Sequence, residues 1–273
     1  MAKIFIERSG QIIAQSREEA EPYLFYQEPF QDQDAVIFLS DTPYAEAQLD
    51  QELRPAIVYL PEKRLRFVID LKADNPMAYP PDLFTKGHHL ITLKAVKAGG
   101  YRNLAENSLD QRADAKVYPH ATANVETRNE SVFAARNVID GLHIADCHGN
   151  WPYTSWGIGQ RTDAVLKIDF GRMVTVDRAV LYLRADFPHD AVWKQGTLVL
   201  SDGYEQTLTF QRKNGPQEFN IGTHCVSWIR LDRLMKDDSP ALFASLRQIE
   251  IYGSDEIGEI SQKAEDSFSP ESL

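Results

Sequence analysis

Residues 166–183 read LKIDFGRMVTVDRAVLYL, and this stretch decides the fold. Leu166, Ile168 and Phe170 alternate with Lys167 and Asp169. A period of two puts the apolar side chains on one face of a strand and the charges on the other. Residues 174–183 continue as strand, rich in Val, Leu and Tyr. Residues 197–200 and 206–210 flank Ser201-Asp202-Gly203-Tyr204, where Asp-Gly is a hairpin signal. Val226, Trp228 and Arg230 fall on one strand face, with Ile229 and Leu231 on the other. Residues 248–253, QIEIYG, close the series with Ile249 and Ile251 inward.

The same period runs through the first hundred residues, at 3–7, 35–40, 56–60, 65–71 and 89–96. Pro-rich breaks such as ADNPMAYPPD forbid regular pairing between them. Short, closely spaced strands without a long helical pattern predict a β-sandwich. Ala98-Gly99-Gly100 is a joint, and the polar stretch 101–130 suits a segment wrapping a sandwich. SVFAARNVIDG (131–141) reads as a short helix with Ser131 as cap and Gly141 as stop. The expected organisation is a β-sandwich domain over 1–100, a second β domain over 101–254, and an acidic, Ser-rich disordered tail over 255–273.

Composition narrows the function classes. A formal net charge of −11 argues against a nucleic-acid partner, because phosphate binding needs a concentrated basic face. No run approaches the roughly 18 apolar residues of a membrane span. The N-terminal apolar run is broken by Lys3, Glu7 and Arg8, which is not a signal peptide, so a cytoplasmic location is expected, with leaderless export as the alternative. Cys147 and Cys225 form neither a disulfide framework nor a paired zinc signature. The segment AARNVIDGLHIADCHGNWPYTSWG (134–157) concentrates Trp, His and Asp, and LRADFPHDAVW (183–193) repeats that chemistry.

From about Tyr101 to Gly253 the sequence resembles the discoidin superfamily, the galactose-binding-like jelly rolls that include coagulation-factor C-type domains and many bacterial carbohydrate-binding modules. An ordered set of fragments carries the resemblance: AARNVIDG (134–141), TSW (154–156), LKIDFG (166–171), VTVDRAVLY (174–182) and QIEIYG (248–253). Two departures stand out. Fourteen residues, LHIADCHGNWPYTS, separate the Asp-Gly turn from Trp156, and the flanking cysteines of the eukaryotic members are missing. The implied fold class is all-β, two β-sandwich domains, the second a galactose-binding-like jelly roll.

The resemblance implies a ligand held by loops at one end of the jelly roll, and a buried core role for Trp156, its indole N–H bonded to backbone. Trp151 lies in the inserted loop, as a stacking platform or as core. Arg184, Asp186, His189 and Asp190, joined by His148, supply donors and acceptors for hydroxyls, and Phe187 or Trp193 an apolar face. The competing explanation is an ion pair from Arg184 to Asp186 or Asp190 that only staples the loop. The resemblance also implies a structural calcium ligated by Asp140 and Glu250. Against it, Asp140 caps its turn and Glu250 faces solvent. His143, Cys147 and His148 are spaced i, i+4 and i+5, so on a helix His143 and Cys147 would share a face that suits zinc, but Gly149 and Pro152 break the helix it needs.

Nucleophile-elbow, phosphate-loop, dinucleotide and metalloprotease signatures are absent from the sequence. Together with the resemblance, this makes non-catalytic binding of a saccharide the expected function. The alternatives are a protein-interaction module, with a protein partner or a second copy, and an enzyme acting on a carbohydrate derivative through the His148, His189, Asp186 and Asp190 cluster.

Overall fold

The computed structural model describes residues 1–112 and 116–255, so all but the first residue of the expected tail lies outside the described residues. The first half contains β1 (Lys3–Arg8), β2 (Gln11–Gln15), β3 (Tyr23–Tyr26), β4 (Ala35–Leu39), β5 (Tyr44–Gln48), β6 (Ala56–Tyr59), β7 (Arg64–Val68) and β8 (His89–Ala95). These form two four-stranded antiparallel sheets, ordered β2-β1-β4-β7 and β3-β8-β5-β6. Ile4, Ile6, Phe38, Val58, Phe67 and Leu93 fill the space they enclose. The alternation of β1 and β7 is the cause: every second side chain is buried. Strands β2, β3 and β5 go beyond the sequence expectation. Sheet-edge β2 buries none of its residues, so it carries no apolar period to find.

The second half contains β9 (Arg102–Asn103), β10 (His120–Ala123), β11 (Trp156–Gly157), β12 (Leu166–Leu183), β13 (Trp193–Leu200), β14 (Glu205–Thr209), β15 (Gln217–Lys236) and β16 (Ser245–Ser254). Their main order is β11-β16-β12-β15-β13-β14, with β10 joined to β12 and β9 to β16. Strand β12 serves two layers. Its first residues pair with β10 and β15, and from Thr175 onward it pairs with β15 and β16. The sheet folds over there into a sandwich of the jelly-roll kind, around Trp156, Phe170, Val176, Leu198 and Ile251. Gly171 makes the bend. Its φ is +66°, Asp169 Oδ1 accepts its N–H at 2.8 Å, and any Cβ there would collide with the Tyr118 ring. No described helix is long and apolar enough to cross a membrane.

Two local expectations are corrected. Residues 131–141 form short 3-10 turns, Ser131–Phe133 and Ala135–Ile139, rather than one helix. All eleven are buried, which leaves no wet face for an amphipathic helix, and Ser131 Oγ bonds Asp74 O at 2.6 Å instead of capping. On β15, Val226 is buried together with Ile229 and Leu231, because the β12–β15 register shifts between Asp169 and Val174. Trp228 instead turns outward, flanked by Lys167 and Arg230.

Residues 104–117 join the halves. Leu104 and Ala105 pack in the second core, while Leu109 and Val117 pack in the first. Gln111 pairs its side-chain amide with the backbone of Val68, at 3.1 and 2.8 Å. Arg172 lies over the rings of Tyr44 and Tyr59 and reaches Asp255, which also accepts from Arg102.

Candidate ligand site at the end of the second sandwich

The loop after β12 is shaped by a buried ion pair. Asp190 accepts from Arg184 Nε at 3.0 Å and from Nη2 at 2.5 Å, and its other oxygen accepts the Asp186 N–H at 3.0 Å. Arg184 and Asp190 are both buried. A pair this dry and this fully hydrogen-bonded fixes the loop, because removing either charge strands the other. Arg184 and Asp190 therefore staple the loop, and both also line the recess beside it.

The staple presents Asp186 and His189 outward. His148, from the inserted segment, meets Asp186 through Nδ1 at 3.0 Å, and its ring centroid lies 6.4 Å from that of His189. Between them opens a recess of about 360 Å³, lined also by Arg128, Phe133, Phe243 and Ser245. That volume lies in the range of small-molecule sites. Phe133 is buried and Phe243 exposed, so the recess has apolar surface beside imidazole, guanidinium and hydroxyl groups. Such a mixture can seat a ring's C–H face while bonding its hydroxyls.

Other expected residues are not there. Trp151 leaves the recess: its N–H bonds Met77 O at 2.7 Å, and its side chain lines a cavity of about 30 Å³ against Leu53, Arg54 and Tyr79 of the first half. Trp193 is 1% exposed and packs at 6.0 Å from Trp156, because it begins β13 rather than ending a loop. Phe187 lies beneath Arg212, 4.4 Å from the guanidinium. Trp156 is buried as expected, and its indole N–H donates to Val125 O at 2.9 Å. The recess residues that the sequence did not suggest are Thr127, Arg128, Phe133, Phe243 and Ser245. They lie in turns or at strand ends without period or motif.

Asp140 and Glu250 do not fit a calcium ion. Arg247 Nη2 donates to both oxygens of Asp140, at 3.0 and 3.1 Å, and Arg247 Nη1 donates to Asn137 O at 2.7 Å. A fully buried guanidinium therefore already occupies the oxygens a cation would need, and Gly141 O is taken by Arg54. Glu250 is engaged elsewhere, by His143 Nε2 at 2.8 Å and by the Tyr252 hydroxyl at 3.1 Å. Burial and the nearby Glu250 carboxylate push the Tyr252 phenol up to about 12. His143 also stacks on Tyr182 at 4.2 Å, and it does not converge with Cys147 and His148 on one ligand group. Both cysteines are free thiols. Among the described residues, one group brings metal-type ligands together: His148, Asp186 and Asp190, with ligand atoms within 4.8 Å of one another. Arg184 already occupies the Asp190 carboxylate.

No family model and no curated protein matches this sequence. Several solved structures do. The lectin-binding domain of lectinolysin, a mutant complexed with Lewis b, is 16% identical with a TM-score of 0.43, covering 56% of this chain and 96% of that one. Chitosan-binding module 1 of a chitosanase/glucanase from Paenibacillus sp. IK-5 is 17% identical with a TM-score of 0.39, covering 56% and 99%. The family 32 carbohydrate-binding module of NanJ from C. perfringens, in complex with galactose, is 17% identical with a TM-score of 0.37, covering 48% and 91%. This chain is thus similar, over about half its length, to nearly the whole of three small saccharide-binding modules.

Proposed function

We propose that the protein binds a saccharide in the recess between His148 and His189. The observation that carries this is the side-by-side placement of Phe133 and Phe243 with His148, His189, Arg128 and Ser245 around one cavity of about 360 Å³. Carbohydrates need that pairing: apolar surface for C–H faces and a fan of donors and acceptors for hydroxyls. The sequence resemblance to galactose-binding-like jelly rolls, whose loops bind ligand at one end, supports the same site. Arg184 and Asp190 act here as positioning residues, since each satisfies the other.

A glycan array followed by calorimetric titration of the best ligand tests the proposal. Phe243→Ala removes an exposed ring and is expected to weaken binding about 3- to 10-fold, with stability unchanged. His189→Ala is expected to weaken it too, and Trp151→Ala to leave it as it was. Absence of any glycan binding, or binding indifferent to both recess substitutions, overturns the proposal.

One observation favours a second reading, catalysis on a carbohydrate derivative. The His148–Asp186 pair has the geometry of an oriented general base facing a cavity. Turnover of the bound glycan, lost in His148→Ala while binding persists, would establish it.

A further inference from the structure

A larger cavity, about 540 Å³, lies where the two sandwiches meet, with Tyr79 and Arg136 in its wall. Arg136 is 6% exposed, yet no described carboxylate lies within ion-pair distance of it. Its hydrogen bonds go to neutral oxygens: Nε to Asp110 O at 2.7 Å, Nη1 to Asn137 Oδ1 at 3.3 Å and Nη2 to Ser108 O at 3.4 Å. A guanidinium has five N–H groups, so two are left over. Asp70 also lines the cavity and accepts the Lys72 N–H at 3.0 Å, while the other acidic side chains nearby are spoken for. Asp110 accepts from Ala121 N and pairs with His120, Asp140 is held by Arg247, and Asp74 accepts from Ser131.

Tyr79 provides the second observation. It is 4% exposed, and its hydroxyl makes no hydrogen bond with the described residues. Its ring carries the Arg136 guanidinium at 4.5 Å, so both unspent donors belong to one stacked pair. Burial raises the Tyr79 phenol above its ordinary pKa, which keeps it a donor at neutral pH. The spare Arg136 donors and the Tyr79 hydroxyl belong to residues that line the cavity, where one ligand group can engage both.

We infer that the cleft between the sandwiches is a second binding site, which takes a small molecule through a carboxylate or phosphate group held by Arg136 and the Tyr79 hydroxyl. A planar guanidinium suits two oxygens of such a group, and the phenol supplies a third donor. The junction of two domains is a usual place for such a cavity. This site is separate from the saccharide recess and does not depend on it.

Calorimetric titration of the full chain at fixed ionic strength tests the inference, with D-glucuronate, inorganic phosphate and D-glucose as probes. Saturable binding of glucuronate or phosphate is expected, and the stronger of the two shows whether the natural group is a carboxylate or a phosphate. Glucose is expected not to bind there. Tyr79→Phe deletes only the unpartnered hydroxyl, so it should fold normally, weaken the anion about 5- to 10-fold and leave glycan binding at the recess untouched. Arg136→Lys should weaken the anion further. Failure of both anions to bind at about 10 mM, equal binding of glucose that Tyr79→Phe weakens, or an anion affinity that Tyr79→Phe leaves unchanged overturns the inference.

Discussion

Two buried arginines sit in the walls of the two larger cavities, and they are treated in opposite ways. Arg184, beside the recess, is bonded to Asp190 through Nε and Nη2. Arg136, in the interdomain cleft, is bonded to neutral oxygens alone. Residue type and burial are nearly the same, so the difference lies in the partner. An arginine whose charge is neutralised within its own loop builds shape, and one left with spare donors is available to a visitor. In the recess wall the arginine is thus neutralised by its own loop, whereas in the cleft wall it keeps donors to spare.

The largest expected effect tests the first half of that contrast. Asp190→Ala leaves Arg184 buried without its counter-charge, and urea denaturation should show a loss of about 3–5 kcal/mol. A loss below about 1 kcal/mol would mean that solvent, not Asp190, satisfies Arg184, and the contrast would collapse.

A third arginine sharpens it. Arg172 joins Asp255 while lying over Tyr44 and Tyr59. Burial opposes ionisation of Asp255, but the Arg102 hydrogen bond and the Arg172 and Arg102 charges outweigh it and hold its pKa below the ordinary carboxylate value. A depressed folded pKa stabilises the protein above the ordinary value, and that stability is lost as pH falls through the folded one. Asp255→Asn should therefore cost about 2 kcal/mol at neutral pH, and its stability should fall less steeply in acid than that of the parent. Parallel acid limbs in the two proteins would assign the clamp no ionic role.

The smallest expected effect is none at all. Because the Arg247 guanidinium fills the oxygens of the Asp140 turn, excess chelator should leave Tm within about 1 °C, and added calcium should not raise it. A calcium-dependent rise would overturn this reading of the Asp140 turn.

Much of the second sandwich is legible in the sequence, because its strands are long and the first arm of β12 alternates cleanly. Leu166, Ile168 and Phe170 announce the first arm of β12, and Ile249 and Ile251 the centre of β16. The bend at Gly171 is harder to read, since it depends on how closely Tyr118 approaches from a distant segment. Edge strands such as β2 bury nothing and leave no apolar trace. In the recess, His148, Asp186 and His189 stand out because His and Asp cluster in two short stretches. Phe133, Phe243 and Arg128 do not, for they arrive from three unrelated segments that only the fold brings together. Tryptophan misleads in both directions: Trp193 is drawn into the core by strand pairing, and Trp151 is drawn off by the neighbouring sandwich. Tyr79 and Arg136 carry no local signal, since they come from distant segments that only the fold stacks together.

The segment 104–117 lends Leu104 and Ala105 to one interior and Leu109 and Val117 to the other. Cutting the chain at Gly99-Gly100, where glycine makes a break look natural, would take two apolar plugs from the N-terminal fragment and expose the cavities they fill. The halves are therefore not interchangeable beads. Heating should melt them in a single calorimetric transition, and a recombinant N-terminal piece should need its borrowed residues through Val117 to stand alone.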